Sequence, residues 1–187
     1  EVQIRRQRSW HITRPYGRVL DAEGPVAVTF TATAGASSFI DIVAARVHSA
    51  VLNGTALDVS GYDESTGISL PDLAADNELV IEADCIYSHT GEGLHRFVDP
   101  TDDSVYLYSQ FEVPDSRRVF AVFEQPSLKA TFQFTITAPA RWKVVSNQAT
   151  PTPTAIEDGK AVWKFAPTPV ISSYITALIA GPYSEVR

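Results

Sequence analysis

The 187-residue chain lacks the features that several classes of protein require. It holds a single cysteine, Cys85, so no intrachain disulfide can form. Cys85 lies in an apolar run, where a small buried side chain is favoured over a nucleophile. No apolar stretch approaches the ~20 residues that a membrane-spanning helix needs. No signal peptide is visible, so we expect a cytoplasmic protein with no membrane partner.

Positive charge is also scarce and scattered. The formal net charge is −7, and the basic residues cluster only at Arg5–Arg8 and at the pair Arg117 and Arg118. A nucleic-acid surface needs a clustered basic stripe with interleaved aromatic side chains. We therefore expect no nucleic-acid partner.

The common catalytic and cofactor motifs are missing. None of the four histidines begins a His-Glu-x-x-His motif, and there is no Gly-x-Ser-x-Gly elbow. Gly91-Glu-Gly93 continues as Leu-His-Arg, which breaks the dinucleotide-binding glycine pattern. His95, Glu92 and Asp99 could assemble a metal site, but a loop of solvated polar groups is the favoured interpretation. The chain is therefore predicted to hold no metal and no catalytic residue of its own.

Strand patterns dominate the sequence and predict one all-β, mostly antiparallel domain over residues 1–187. Residues of alternating polarity, as in Val26–Ala32 and Ala130–Thr137, show the period of two that a half-buried strand requires. Arg46–Leu52, followed by Asn53-Gly54, predicts a hairpin, because both turn residues tolerate positive φ angles. The other predicted strands are 38–43, 67–70, 78–86, 104–111, 142–145, 160–165 and 174–179.

Helices are predicted at only two places. Asp115–Phe123 is one, with Asp115 as its N-cap, and Leu73–Asn77 is the other. The Pro-Thr-Pro segments at 151–153 and 167–169 are predicted loops, because proline cannot donate to a sheet ladder.

The candidate site is the strand that ends at Gln110 and Glu112. Residues two apart on a strand share a face, so Tyr106 and Tyr108 are predicted to lie beside these two. A partly desolvated carboxylate pairs well with an ammonium group, so such a row could recognise a cation. The alternative is an edge strand with one polar face and no ligand.

Several segments together resemble the N-terminal domain of the gluzincin-type, zinc-dependent aminopeptidase N family, in particular its bacterial branch. The resemblance covers residues 26–187 with all segments in order. It rests on Gly91–Pro100, Val105–Glu112, Asp115–Phe120, Glu124–Pro126, Leu128–Phe132, Trp142–Asn147 and Pro167–Tyr183.

The resemblance implies a saddle-shaped β domain that packs against a separate catalytic domain. In that family the residue matching Glu112 binds the free α-amino group of a peptide substrate, together with a glutamate of the catalytic domain. The residue matching Gln110 helps to line the pocket for the first side chain. Zinc is implied for the full-length enzyme, held by ligands outside this chain, so the chain alone is expected to be inactive.

The sequence departs from the family in three ways. The zinc motif is absent, and Arg14-Pro15-Tyr-Gly17 interrupts the expected first strand. Glu124 stands where the family more often has Asp, a change of one methylene that we expect to be tolerated.

Two alternatives remain. One is a catalytically dead scaffold homologue, and the other is a free-standing β-sandwich module that binds protein or carbohydrate. Only a domain that packs on a partner domain predicts an exposed apolar patch.

Overall fold

The computed structural model describes residues 3–8 and 25–186. Over this part of the chain, strands are joined by loops and by two 3-10 helices, Ser116–Arg118 and Ser173–Ile175. The predicted all-β class is confirmed. The strands are β1 (Gln3–Arg8), β2 (Pro25–Thr31), β3 (Ser38–Ile40), β4 (Arg46–Leu52), β5 (Thr55–Ala56), β6 (Ile68–Leu70), β7 (Asp76–Asp84), β8 (Gly93–Val98), β9 (Val105–Gln110), β10 (Thr131–Gln133), β11 (Thr135–Pro139), β12 (Lys143–Ser146), β13 (Thr154–Ala155), β14 (Lys160–Lys164) and β15 (Leu178–Gly181).

The strands form four sheets in the described ranges. The largest has the order β10-β1-β2-β7-β4-β5, and a four-stranded sheet has the order β12-β15-β9-β8. A three-stranded sheet, β11-β14-β13, and the pair β3-β6 complete the fold. The strand pairs are antiparallel except for β1 with β10, which is parallel. The prediction of mostly antiparallel pairing is thus confirmed, while the interruption at Arg14-Pro15-Tyr-Gly17 lies outside the described residues.

Alternating polarity decides which side of each strand faces the core. In β7, Leu79, Ile81 and Ala83 are buried, whereas the intervening Glu78 and Glu82 are exposed. Successive side chains on a strand point to opposite faces, so this pattern packs one face and solvates the other. One continuous hydrophobic core draws buried residues from segments between Val26 and Ala180.

The predicted hairpin at Asn53-Gly54 is confirmed. Asn53 and Gly54 have φ angles of 50° and 80°, and the flanking Leu52 and Thr55 are paired. Two successive positive φ angles are the requirement of the type I′ turn, which suits the twist of a hairpin. The Asn53 side chain also accepts a hydrogen bond from the backbone N–H of Glu78 at 2.8 Å, which ties the turn to β7.

Both predicted helices are wrong. Only Ser116–Arg118 of the segment Asp115–Phe123 is helical, and residues 119–123 are all buried. An amphipathic helix at the protein surface buries only one stripe of its side chains, whereas here five successive side chains all enter the core. In the segment Leu73–Asn77, residues 73–75 form a loop that leads into β7, and Asn77 already lies in that strand. The Asn77 side chain donates a hydrogen bond to the backbone oxygen of Ala74 at 2.7 Å.

Two strand predictions are also corrected. The segment 130–137 alternates as predicted, but it divides into β10 and β11, which belong to different sheets. The segment 174–179 begins in the second 3-10 helix, and its strand starts only at Leu178. In contrast, the two Pro-Thr-Pro segments are loops, as predicted.

Candidate amine-recognition site

The candidate site lies on β9, an inner strand of the four-stranded sheet. Val105 and Leu107 of β9 are buried, as is Phe111, which follows the strand. The intervening Tyr106, Tyr108 and Gln110 are exposed or half-buried, so the predicted shared face is confirmed for these three. Glu112 is also exposed, but it lies in the turn after the strand. The alternative of an edge strand is wrong, because β15 and β8 flank β9 on its two sides.

Gln110 and Glu112 lie next to each other at the end of β9. The side-chain oxygen of Gln110 accepts a hydrogen bond from the backbone N–H of Glu112 at 3.0 Å. This bond holds the Glu112 backbone against the last residue of the strand. Within residues 3–8 and 25–186, no group donates a hydrogen bond to the Glu112 carboxylate, and its side chain is exposed. The carboxylate is therefore available to a cation.

A tight turn follows Glu112 and leads into the first 3-10 helix. The backbone N–H of Asp115 donates to the carbonyl of Phe111 at 3.3 Å, which closes the turn over Glu112. Asp115 occupies the N-cap position of this helix, as predicted, but its side chain makes no capping bond. Its carboxylate instead accepts a hydrogen bond from Arg118 Nε at 2.6 Å, within the same segment.

A glycine on the neighbouring strand lets this segment approach the sheet. Gly93 of β8 pairs with Gln110 and has a φ angle of +63°. A Cβ atom on Gly93 would lie 2.9 Å from the Cβ atom of Arg118, closer than two carbon atoms can pack. In the sequence, only one feature hints at this role of Gly93: it is the second glycine of Gly91-Glu-Gly93, a pair that fits no cofactor motif.

A carboxylate downstream of the turn also contributes to the site's framework. Glu124 accepts hydrogen bonds from Ser116 Oγ at 2.6 and 2.5 Å, from the Arg117 backbone N–H at 2.7 Å and from Ser173 Oγ at 2.8 Å. No motif marks this role in the sequence. The only signal is a carboxylate directly after five apolar residues.

The outer face of the four-stranded sheet carries an apolar row that crosses all four strands. The row consists of Val145, Ile179, Tyr108 and His95, which are cross-strand neighbours in that order. The first three are 46%, 38% and 41% exposed, and the rings of His95 and Tyr108 are 4.8 Å apart. The row thus forms a mostly apolar surface, with His95 as its polar member, and Tyr108 in this row lies two residues before Gln110.

A second group of aromatic side chains borders this row. The ring of Tyr106 lies 4.9 Å from that of Tyr183 and 6.5 Å from that of Phe97. Partial burial, followed by the neighbouring phenols Tyr106 and Tyr108, raises the pKa of Tyr183. The phenol of Tyr183 therefore stays neutral at physiological pH.

Other candidate groups have structural roles. Cys85 is buried, as predicted, and burial raises the pKa of its thiol to about 12. His95 Nδ1 accepts a hydrogen bond from the backbone N–H of Gly91 at 3.1 Å. In the described part of the chain, no three or more His, Cys, Asp or Glu side chains are grouped so that they could hold a metal ion. No helix within residues 3–8 and 25–186 is long and apolar enough to cross a membrane.

Comparison with known proteins identifies relatives. The chain is similar to aminopeptidase N of Streptomyces lividans, with 60% identity over 157 residues, which are 83% of this chain and 18% of that protein. Aminopeptidase N of Acetobacter pasteurianus is 40% identical over 43% of the chain and 23% of its own length. Aminopeptidase N of Bos taurus is 31% identical over 51% of the chain and 10% of its own length.

The matched region therefore spans less than a quarter of each of these relatives. The family profile of the Peptidase M1 N-terminal domain matches residues 26–175, which is most of the chain. The protein belongs to the peptidase M1 N-terminal domain family, in its bacterial branch.

Proposed function

We propose that this chain is the substrate-amine-recognising part of a cytoplasmic zinc aminopeptidase that removes N-terminal residues from peptides. Residues 1–187 act as one domain, and Glu112 binds the α-ammonium group of the substrate together with a glutamate of the catalytic domain. Gln110 lines the pocket for the first side chain. Among the described residues, no three His, Cys, Asp or Glu side chains are grouped as a zinc site would need, and we assign the zinc ligands to the catalytic domain.

One observation carries the proposal: within the described part of the chain, the exposed Glu112 carboxylate has no hydrogen-bond partner, and it lies just after the end of an inner strand. β8 pairs with β9 up to Gln110, so Glu112 follows closely after a strand end that is held by its neighbour. The hydrogen bond from its N–H to Gln110 further restricts the backbone. Preorganisation of this kind lowers the entropy lost when a ligand binds.

Charge accounts for the selection of a free amino terminus. An α-ammonium group forms a charge-assisted hydrogen bond with a carboxylate, whereas an internal peptide nitrogen carries no charge. Closure of the site by the catalytic domain would exclude water and strengthen this pairing. The enzyme would then bind peptide ends in preference to internal segments.

The apolar row on the outer face supports the presence of a catalytic domain as partner. Large exposed apolar patches mark interaction surfaces in soluble proteins. Val145, Ile179 and Tyr108 lie on the sheet that carries Glu112, so a domain that covered them would also reach the strand end.

The test is Glu112→Ala in the full-length enzyme, assayed with aminoacyl chromogenic substrates that have a free amine. Removal of one member of a desolvated charge pair is expected to lower kcat/KM. The lost transition-state binding free energy should be about 2–5 kcal/mol. Glu157→Ala, at an exposed glutamate in a distant loop, is the matched control and should have no effect. Normal kcat/KM in the Glu112 variant would disprove the assignment.

A further inference from the structure

We propose that Glu124 is a positioning residue for Glu112, and that it acts by anchoring the segment that follows the amine-binding carboxylate. This inference rests on the proposed function of Glu112. Glu124 is not expected to touch the substrate. Glu124 instead holds Ser116, the residue at the other end of the turn that begins at Glu112.

The Glu124 carboxylate is a hub between two distant parts of the chain. Ser116 Oγ lies 2.6 and 2.5 Å from the two carboxylate oxygens, which share its single proton, and one oxygen also accepts from the backbone N–H of Arg117 at 2.7 Å. Ser173 Oγ, from the second 3-10 helix, donates at 2.8 Å. Hydrogen bonds to a charged acceptor are about twice as strong as neutral ones, so the carboxylate joins the two 3-10 helices firmly.

The hub is itself fixed to the core. The backbone N–H of Glu124 donates to Asp41 Oδ2 at 3.2 Å, and Val122 pairs with Asp41 through two backbone bonds of 2.9 Å. The backbone oxygen of Arg117 accepts from the N–H of Val43 at 2.7 Å. Since Val122 is buried, the carboxylate projects from an immobile support.

The geometry links this anchor to Glu112 through a short turn. Phe111, directly before Glu112, and Ser116, directly bonded to Glu124, are both buried. The exposed residues 112–114 and Asp115 connect these two fixed points. The direction of the Glu112 side chain therefore depends on both ends of the turn. Loss of the Ser116 anchor would free one end while β9 still held the other.

The experiment is a double-mutant cycle in the full-length enzyme, with Glu112→Ala, Glu124→Gln and the combined variant. The readout is kcat/KM on a free-amine aminoacyl p-nitroanilide. Glu124→Gln alone should lower kcat/KM by about 10- to 100-fold, because displacement of a binding group by about 1 Å can cost this much. In the Glu112→Ala background the same change should cost less than about twofold, because coupled residues are not additive.

Three outcomes would overturn the inference. One is normal kcat/KM in Glu124→Gln, and another is an equal loss in both backgrounds, which would mean that Glu124 acts independently of Glu112. The third is an equally large loss in Glu124→Asp, since that variant keeps the carboxylate and should stay within about threefold of the wild type. Glu157→Gln is the matched control for the charge change. If Glu112→Ala alone had no effect, the proposed function would fail instead.

Ser116→Ala supplies a second cycle if Glu124→Gln does not fold. It removes the donor that bonds both carboxylate oxygens but leaves the charge in place. A loss of kcat/KM that disappears in the Glu112→Ala background supports the inference. A loss that persists there, or no loss at all, contradicts it.

Discussion

Truncation of Phe120 tests whether the aromatic centre of the core supports the strand end that carries Glu112. Phe120 is 1% exposed, and its ring centroid lies 5.8 Å from Phe111, 6.1 Å from Phe132 and 6.3 Å from Phe134. All three pairs are edge-to-face, the geometry that the quadrupoles of the rings favour. Phe111 directly precedes Glu112, so this cluster packs beneath the site.

The expected magnitude follows from burial and from these three ring pairs. Replacing a fully buried Phe by Ala costs about 3–5 kcal/mol, as transfer free energy plus the cavity that remains. Each edge-to-face pair adds about 0.5–1.5 kcal/mol beyond area burial, so the upper part of that range applies here. Phe120→Leu keeps most of the apolar volume but loses the ring pairs, and we expect it to cost about 1–3 kcal/mol.

The assay is urea unfolding of the 187-residue chain, followed by the fluorescence of the buried Trp142 and Trp163. In thermal unfolding, a loss of about 4 kcal/mol in the free energy of unfolding would appear as a decrease in Tm of about 8–16 °C for a domain of this size. Phe39→Ala is the matched control, because Phe39 is 54% exposed and should cost less than about 0.5 kcal/mol. The reasoning would be refuted if Phe120→Ala and Phe39→Ala destabilised the chain equally.

Two further stability predictions concern a close contact and a buried thiol. Gly93→Ala should cost about 1–3 kcal/mol more than Gly159→Ala, because both glycines have φ near +65° but only Gly93 faces a side chain at 2.9 Å. Equal losses in urea unfolding would contradict this steric explanation. Burial raises the pKa of Cys85 from 9.0 to about 12, so the folded chain keeps a proton that the unfolded chain releases above pH 9. The contribution of the protonated thiol to the free energy of unfolding is therefore complete below pH 9 and declines as the pH rises towards 12. At about pH 10.5 the wild type should have lost about 2 kcal/mol of stability that Cys85→Ala does not lose. A parallel pH dependence of the two proteins would refute the assignment to Cys85.

The site on β9 could be predicted in part because it depends on local geometry. Alternation along a strand is a property of the backbone, so Tyr106, Tyr108 and Gln110 had to share a face once this segment was extended. Whether the strand lay at an edge or inside a sheet was not a local property. That depended on β15, whose partner residues lie about 70 positions away.

The segment after Glu112 shows why helix prediction failed. Asp115–Phe123 has the cap and the length of a short helix, yet the structure continues as a helix only to Arg118. Burial of the five residues that follow, and the pairing of Val122 with Asp41, stabilise a non-helical path more than one helical stripe could. Tertiary contacts overrode local preference, as they often do for short segments.

The roles of Gly93 and Glu124 also depended on residues remote in the sequence. Gly93 is required to be small because Arg118 folds back against it, and Glu124 gathers donors from positions 116, 117 and 173. Neither contact has a sequence spacing that a motif could encode. Each appears only when the chain is folded.

By itself, the sequence determined the all-β class, the Asn53-Gly54 hairpin, the burial of Cys85 and the face that Tyr106, Tyr108 and Gln110 share. These features follow from alternation, turn chemistry and hydrophobicity, which act over a few neighbouring residues. Only the tertiary structure decided that β9 is an inner strand, that residues 119–123 enter the core and that Glu124 anchors the turn after Glu112. These features arise from contacts between segments that are distant in the sequence. A local sequence pattern cannot indicate how much such contacts stabilise the fold.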